Sequence, residues 1–257
     1  MRSKINCPRP LPQACKAPEI KDRSGTECIA GHRVFIYLAF TEPTLLKKRA
    51  LIFDLDNTIF PVTSIGGELF RPLFDMLRRG GMDEKRMKLI EQDVMRKPFQ
   101  WVAARYSIGQ DLASNSAELL KTLEYNGAIE PFADFAQIRA CACDKFIVTM
   151  GFRKMQLSKI RSLELEKDFK EIFIIDPTVT KKTKKDVFQG ILDKFGYSVA
   201  ESLVIGDDRD SEIEAAITLG IDSVLYDKEN VQRDDGATFR ITSYEQLMPS
   251  LECNGKS

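Results

Sequence analysis

The sequence lacks the features that place a chain in a membrane or in the secretory route. No apolar run in its 257 residues approaches the roughly 20 that a helix needs to cross a bilayer. The amino-terminal segment carries prolines, cysteines and charges instead of the apolar stretch of a signal peptide. We therefore expect a cytoplasmic protein that makes no membrane contact.

Ligands for zinc and glycine-rich phosphate loops are also scarce. There is one histidine, and the spacing Cys141-x-Cys143 is not Cys-x-x-Cys, so a zinc site is not expected. The six cysteines are too sparse for a disulfide framework, and we expect reduced, structural thiols. Neither Gly-x-x-x-x-Gly-Lys-Ser/Thr nor Gly-x-Gly-x-x-Gly occurs, which disfavours an ATPase or a dehydrogenase. Lys plus Arg and Asp plus Glu both total 38, so net charge gives no reason to expect nucleic acid.

What the sequence does contain is an alternation of apolar strands and amphipathic helices. It begins with the apolar run Ala50–Leu55 and resumes after residue 129. Between these points the apolar spacing is helical, as at Leu69, Leu73 and Leu77, and no run is typical of a strand. Strands separated by helices predict an α/β fold, a Rossmann-like parallel sheet with helices on both faces. The expected organisation is a poorly ordered extension (1–47), a core (48–62 and 129–251), an all-helical insert (63–128) and a tail (252–257).

Polar residues stand at the ends of three predicted strands. Asp54 and Asp56 end the first, Thr149 ends the second, and Asp207 and Asp208 follow the third. Ligands of parallel sheets bind beyond the carboxyl ends of the strands, so these groups are expected to converge there.

Two carboxylates two residues apart at a strand end suggest chemistry with a divalent cation. Asp54 and Asp56 would repel each other unless a cation or a proton lay between them, and Asp207 would add a third carboxylate. All-oxygen ligation suits Mg²⁺, which can neutralise a phosphate while a carboxylate attacks it. For an isolated Asp-x-Asp, a solvated turn is the ordinary explanation; the other strand ends, a cluster of lysines and Gly206-Asp207-Asp208 favour a site.

Four segments around these residues resemble, in the same order along the chain, the four motifs of the haloacid dehalogenase-like (HAD) hydrolase superfamily. The family pattern Asp-x-Asp-x-Thr after an apolar strand is similar to Phe53-Asp54-Leu55-Asp56-Asn57-Thr58, and the resemblance extends over about residues 48 to 251. The other segments are Ile147–Gly151, Lys182–Phe188 with its lysine six residues before an aromatic, and Val204–Asp208.

The resemblance implies a role for each matching residue. Asp54 is the nucleophile, Asp56 protonates the leaving oxygen and then activates water, and Thr149 binds a phosphoryl oxygen. Lys182 balances charge, with Lys181 as the alternative. Mg²⁺ is held by the side chains of Asp54 and Asp207 and by the backbone carbonyl of Asp56.

The sequence leaves open which acidic residue after Asp207 supports the ion. Asp208 or Glu212 is expected, but the spacing to Glu212 is one residue longer than the commonest family spacing. Asp210, Ser211 and Glu212 therefore compete for this place.

Asp56 and the helical insert narrow the expected reaction. Haloalkanoate dehalogenases of this superfamily lack the second aspartate, and the insert resembles the helical cap that closes over small substrates and excludes water. We therefore expect a magnesium-dependent phosphomonoester hydrolase acting on a small phosphorylated metabolite. A sugar phosphomutase and a non-catalytic binding or regulatory protein are the alternatives.

Within the cap, Trp101 is expected to pack in the core and Arg105 to lie at the surface, although Arg105 could bind a second anionic group of the substrate.

Overall fold

A computed structural model describes residues 46–230 and 236–253 of the chain. The extension predicted to be poorly ordered lies, up to residue 45, outside these residues, as does the tail from residue 254. The first described strand, β1 (Leu46–Lys48), pairs in parallel with the last, β8 (Leu251–Cys253).

The main sheet has six parallel strands, which confirms the predicted fold class. Its strands are β2 (Ala50–Phe53), β3 (Asp144–Met150), β4 (Glu171–Ile175), β5 (Ser202–Gly206), β6 (Asp222–Tyr226) and β7 (Phe239–Ile241). They lie in the order β4-β3-β2-β5-β6-β7. The central strands β2 and β5 are buried at every position, which is why they are continuous apolar runs.

The first five helices of the described chain follow β2. They are α1 (Thr63–Leu69), α2 (Arg71–Arg79), α3 (Glu84–Val94), α4 (Phe99–Arg105) and α5 (Gln110–Thr122). Apolar residues on one face of α2, among them Leu73 and Leu77, are fully buried in a core that also includes Ile90 of α3 and Leu120 of α5. We call this all-helical segment the helical insertion.

Four further helices cover the sheet: α6 (Phe135–Arg139), α7 (Arg153–Ser162), α8 (Lys184–Phe195) and α9 (Glu214–Leu219). Alternate residues of β2 belong to two separate apolar clusters. Phe53 meets Phe135 and Phe169 edge-on, while Ile52 belongs with Phe146 and Phe188. Since successive side chains of a strand point to opposite faces, both faces of the sheet are covered.

Three expectations are corrected by the structure. The sequence predicts a helix at Tyr244–Leu251. The structure has two 3₁₀ turns there, Tyr244–Gln246 and Met248–Ser250, because Pro249 cannot continue an α-helical hydrogen-bond ladder. The sequence also predicts a helix at Ser211–Leu219, but the helical segment begins earlier, as a π-helical turn at Arg209–Ile213. Cys143 is disulfide-bonded, so the expectation of reduced thiols is wrong at this position. Among the described residues no helix is long and apolar enough to cross a membrane.

Candidate active site

The carboxyl ends of β2, β3 and β5 open into one cleft of about 150 Å³ beneath the helical insertion. Its lining includes Asp54 and Asp56 directly after β2, Thr149 near the end of β3, and Asp207 directly after β5. The structure thus brings these four predicted site residues together.

Three carboxylates form the most acidic part of the cleft. Oxygen atoms of Asp54, Asp207 and Glu212 all lie within 4.8 Å of one another, and Glu212 is 1% exposed. Burial, reinforced by the charge of Glu212, raises the pKa of Asp54 to about 7. Burial, reinforced by the charges of Glu212 and Asp54, raises the pKa of Asp207 well above its ordinary value. An all-oxygen cluster with this excess of negative charge fits a hard divalent cation such as Mg²⁺.

Lys184 supplies the positive charge beside Asp54. Its ammonium lies 2.6 Å from Asp54 Oδ1 and 2.6 Å from Glu212 Oε2, and the residue is 6% exposed. These two carboxylates raise the pKa of Lys184 although burial opposes the charge.

The lysine chosen from the sequence is therefore not the one that reaches Asp54. Thr183 caps α8 by accepting a hydrogen bond from the backbone N–H of Asp186, so the helix begins at Lys184 and directs that residue into the core. Lys182 and Lys181 precede the cap and are exposed, and neither is among the described residues that line the cleft.

A π-helical turn places Glu212 in the site. Such a turn contains one residue more than an α-helical turn, and it accommodates the longer spacing between Asp207 and Glu212 that was noted in the sequence. Glu212 Oε1 accepts a hydrogen bond from the backbone N–H of Asp208 at 2.6 Å. Of the three competing residues Glu212 alone is buried, since Asp210 is exposed and Ser211 is half-buried.

Gly206 makes room for that glutamate. A Cβ atom at Gly206 would lie 2.1 Å from the Cγ atom of Glu212. The glycine of Gly206-Asp207-Asp208 is thus required by the close approach of a side chain.

Two buried polar residues of α7, Gln156 and Lys159, hold the predicted acid/base and phosphate-binding groups. The Lys159 ammonium lies 2.9 Å from both carboxylate oxygens of Asp56. The Gln156 amide donates to Asp56 Oδ2 at 3.1 Å and to Thr149 Oγ1 at 2.6 Å. Because the Thr149 hydroxyl accepts from Gln156, its own hydrogen is available to donate to a bound group.

Sequence reasoning missed Gln156 and Lys159. The available signal was two polar residues three positions apart, hence on one helix face, in the helix that follows Thr149.

The segment between α3 and α4 closes the cleft from the helical insertion. Lys97 forms an ion pair with Asp208 at 2.7 Å, and Arg96 forms one with Glu229 at 2.6 Å. Asn57, in the left-handed conformation with φ 57°, donates to the carbonyl of Met95 at 3.0 Å. The loop that follows the nucleophile position is thereby bonded to the insertion.

Trp101 and Arg105 lie away from this cleft. Trp101 is 45% exposed, so the expectation that it packs in the core is wrong. Arg105 is exposed, as expected, and is not among the described lining residues.

A parallel α/β sheet with a helical insertion after its first core strand, and with carboxylates and a lysine at the strand ends, defines a class of hydrolases. The chain belongs to the haloacid dehalogenase-like hydrolase family, whose profile matches residues 51–226. The predicted superfamily is thus confirmed.

Two curated relatives carry names of phosphate-ester hydrolases. One is pyrimidine 5'-nucleotidase PynA of Streptococcus pneumoniae, 25% identical over 43% of this chain and 48% of that protein. The other is glyceraldehyde 3-phosphate phosphatase of Pyrococcus furiosus, 30% identical over 41% and 46%. The chain thus aligns with about half the length of each.

Solved structures of the same fold include more than one activity. The magnesium-bound HAD-hydrolase YfnB of Bacillus subtilis has a TM-score of 0.58 at 19% identity, covering 78% of this chain and 97% of that one. L-2-haloacid dehalogenase of Xanthobacter autotrophicus has a TM-score of 0.53 at 14% identity, covering 79% and 97%. At these identities the likeness concerns the fold alone.

Proposed function

We propose that this chain is a magnesium-dependent phosphomonoester hydrolase acting on a small phosphorylated metabolite. The observation that carries the proposal is Asp56, which stands two residues after Asp54 in the same cleft with its carboxylate held by Lys159 and Gln156. A dehalogenase has no leaving alkoxide to protonate and therefore no need of this second carboxyl group. The names of the two curated relatives support the same reaction.

Each residue of the site has a place in the two steps of hydrolysis. A carboxylate oxygen of Asp54 attacks phosphorus, the bond from phosphorus to the ester oxygen breaks, and the leaving alcohol takes a proton from Asp56. Asp56 then removes a proton from water, which attacks the aspartyl-phosphate, releases phosphate and restores Asp54. Thr149 donates its hydroxyl hydrogen to a phosphoryl oxygen.

Positive charge is the remaining requirement. Lys184 offsets charge on Asp54 and on the phosphoryl oxygens, in the role first given to Lys182. Asp54, Asp207 and Glu212, with the backbone carbonyl of Asp56, would hold Mg²⁺, which supplies further neutralisation of the phosphate when bound. The helical insertion acts as a cap that excludes water, which restricts the substrate to small molecules.

The test is turnover of 4-nitrophenyl phosphate with Mg²⁺ and with EDTA. We expect hydrolysis that requires the metal and that Asp54→Asn lowers at least about 10³-fold, while Asp210→Asn, which removes an exposed carboxylate, leaves it unchanged. Halide release from 2-chloropropionate without phosphatase activity would show a dehalogenase instead. Transfer of phosphate to a sugar hydroxyl, seen in product analysis, would show a mutase.

A further inference from the structure

The cleft has an apolar wall. Six buried side chains line it, none more than 8% exposed: Phe70, Val94, Phe99, Leu120, Phe152 and Met155. Four of them come from the helical insertion and two from the start of the α7 region. A phosphate held among Asp54, Thr149 and Lys184 would leave the rest of the substrate facing this wall.

Every cation among the described lining residues already has a carboxylate partner. The pairs are Lys184 with Asp54 and Glu212 at 2.6 Å, Lys159 with Asp56 at 2.9 Å, Lys97 with Asp208 at 2.7 Å and Arg96 with Glu229 at 2.6 Å. A second anionic group on a substrate would therefore meet no spare positive charge in this part of the structure. It would also approach a cleft that is rich in carboxylates, which repel it.

We infer that the site, if it acts as proposed above, selects phosphate monoesters whose leaving alcohol is uncharged and presents an apolar face. Such an alcohol removes apolar surface from water against the wall. A carboxylate or a second phosphate in the same place would lose hydration without gaining a partner. Bisphosphates and phosphorylated carboxylic acids are therefore disfavoured.

Three synthetic esters with similar alkoxide leaving groups test both halves of the inference. With Mg²⁺, we expect kcat/KM for 4-carbamoylbenzyl phosphate to exceed that for 4-carboxybenzyl phosphate at least about 10-fold, because the two differ chiefly in charge. We expect it to exceed that for 2-hydroxyethyl phosphate by a similar factor, mainly through KM, because the latter lacks the apolar ring.

A variant outside the catalytic groups tests the role of the paired cations. Glu229→Gln releases the Arg96 guanidinium, and we expect it to raise the ratio of carboxylate to carboxamide turnover, while Glu166→Gln on the exposed surface leaves the ratio unchanged. Equal turnover of 4-carboxybenzyl phosphate and 4-carbamoylbenzyl phosphate, or a preference for the carboxylate, overturns the inference. The proposed phosphatase function would then still stand. If none of the three esters is hydrolysed, and 4-nitrophenyl phosphate is not hydrolysed either, the proposed function and this inference are overturned together.

Discussion

Two buried lysines each form an ion pair with one aspartate of the first motif. Lys184 holds Asp54 and Lys159 holds Asp56, each at hydrogen-bonding distance and each from a different helix. A buried carboxylate without such a partner would be strongly disfavoured, so the lysines offset negative charge at both acids and orient them. Lys184 is not exchangeable with the exposed lysines beside it in the sequence, Lys182 and Lys185.

Replacing Lys184 by Met should lower kcat about 10²-fold or more, because Asp54 and Glu212 then face each other without a compensating charge. Lys182→Met, two residues away and exposed, should retain nearly full activity. Steady-state kinetics of both variants with Mg²⁺ measure the difference. Greater loss in Lys182→Met than in Lys184→Met would restore the assignment made from the sequence.

Replacing Gln156 by Glu should lower kcat about 10-fold or more with little change in KM, because the new carboxylate cannot donate to Thr149 and repels Asp56. Gln92→Glu makes the same chemical change at an exposed position of α3 and serves as control. A variant with normal kcat and pH profile would show that Gln156 only fills space.

At the scale of elements, the turn from β5 into α9 determines the geometry of the acidic cluster. Gly206→Ala should weaken Mg²⁺ activation, because the new Cβ would meet Glu212 at 2.1 Å and displace it. Gly190→Ala in α8, where a Cβ meets nothing within 4 Å, should instead be neutral or stabilise by about 0.5–1 kcal/mol. Magnesium titration of activity and thermal melting distinguish the two. Unchanged magnesium dependence in Gly206→Ala would contradict this account of the turn.

The strands of the sheet were predictable because a buried parallel strand is a continuous apolar run. The sequence predicts a strand at Phe239–Ile241, with the bounds that the structure gives, and a strand at Ser223–Tyr226, which is one residue shorter than the observed strand. The acids of the first and fourth motifs followed from their place at strand ends.

The lysine and the last acid of the site required information that a sequence pattern does not contain. The start of the capped helix determines which lysine faces inward among Lys181, Lys182 and Lys184. A shift of that start by one residue would turn a different side chain toward the core. Glu212 reaches the site through a π-helical turn, a local departure from regular spacing that only tertiary packing reveals.

For the molecule as a whole, the proposed cation site would couple metal binding to stability. The carboxyls of Asp54 and Asp207 have raised pKa values, so between about pH 4 and 7 these two groups bind more protons in the folded chain without metal than in the unfolded chain. Their contribution to the free energy of unfolding should therefore fall as pH rises through this window. Because Mg²⁺ would bind the ionised carboxylates of the proposed site, the rise in Tm on adding Mg²⁺ should be larger at pH 8 than at pH 6.

Thermal melts at the two pH values, with and without Mg²⁺, measure this difference. Asp207→Asn, which removes one proposed ligand, should reduce the magnesium-dependent rise at pH 8. A rise in Tm that is larger at pH 6 would contradict the assignment of the cluster as a cation site.

The half-exposed indole of Trp101 has a practical consequence. It is the sole tryptophan of the chain and lies on α4, two residues from Phe99 in the cleft wall. Light at the long-wavelength edge of aromatic absorption, which tyrosine scarcely absorbs, would therefore excite this indole alone. Its emission offers a label-free optical signal for the arrival of a ligand beneath the insertion.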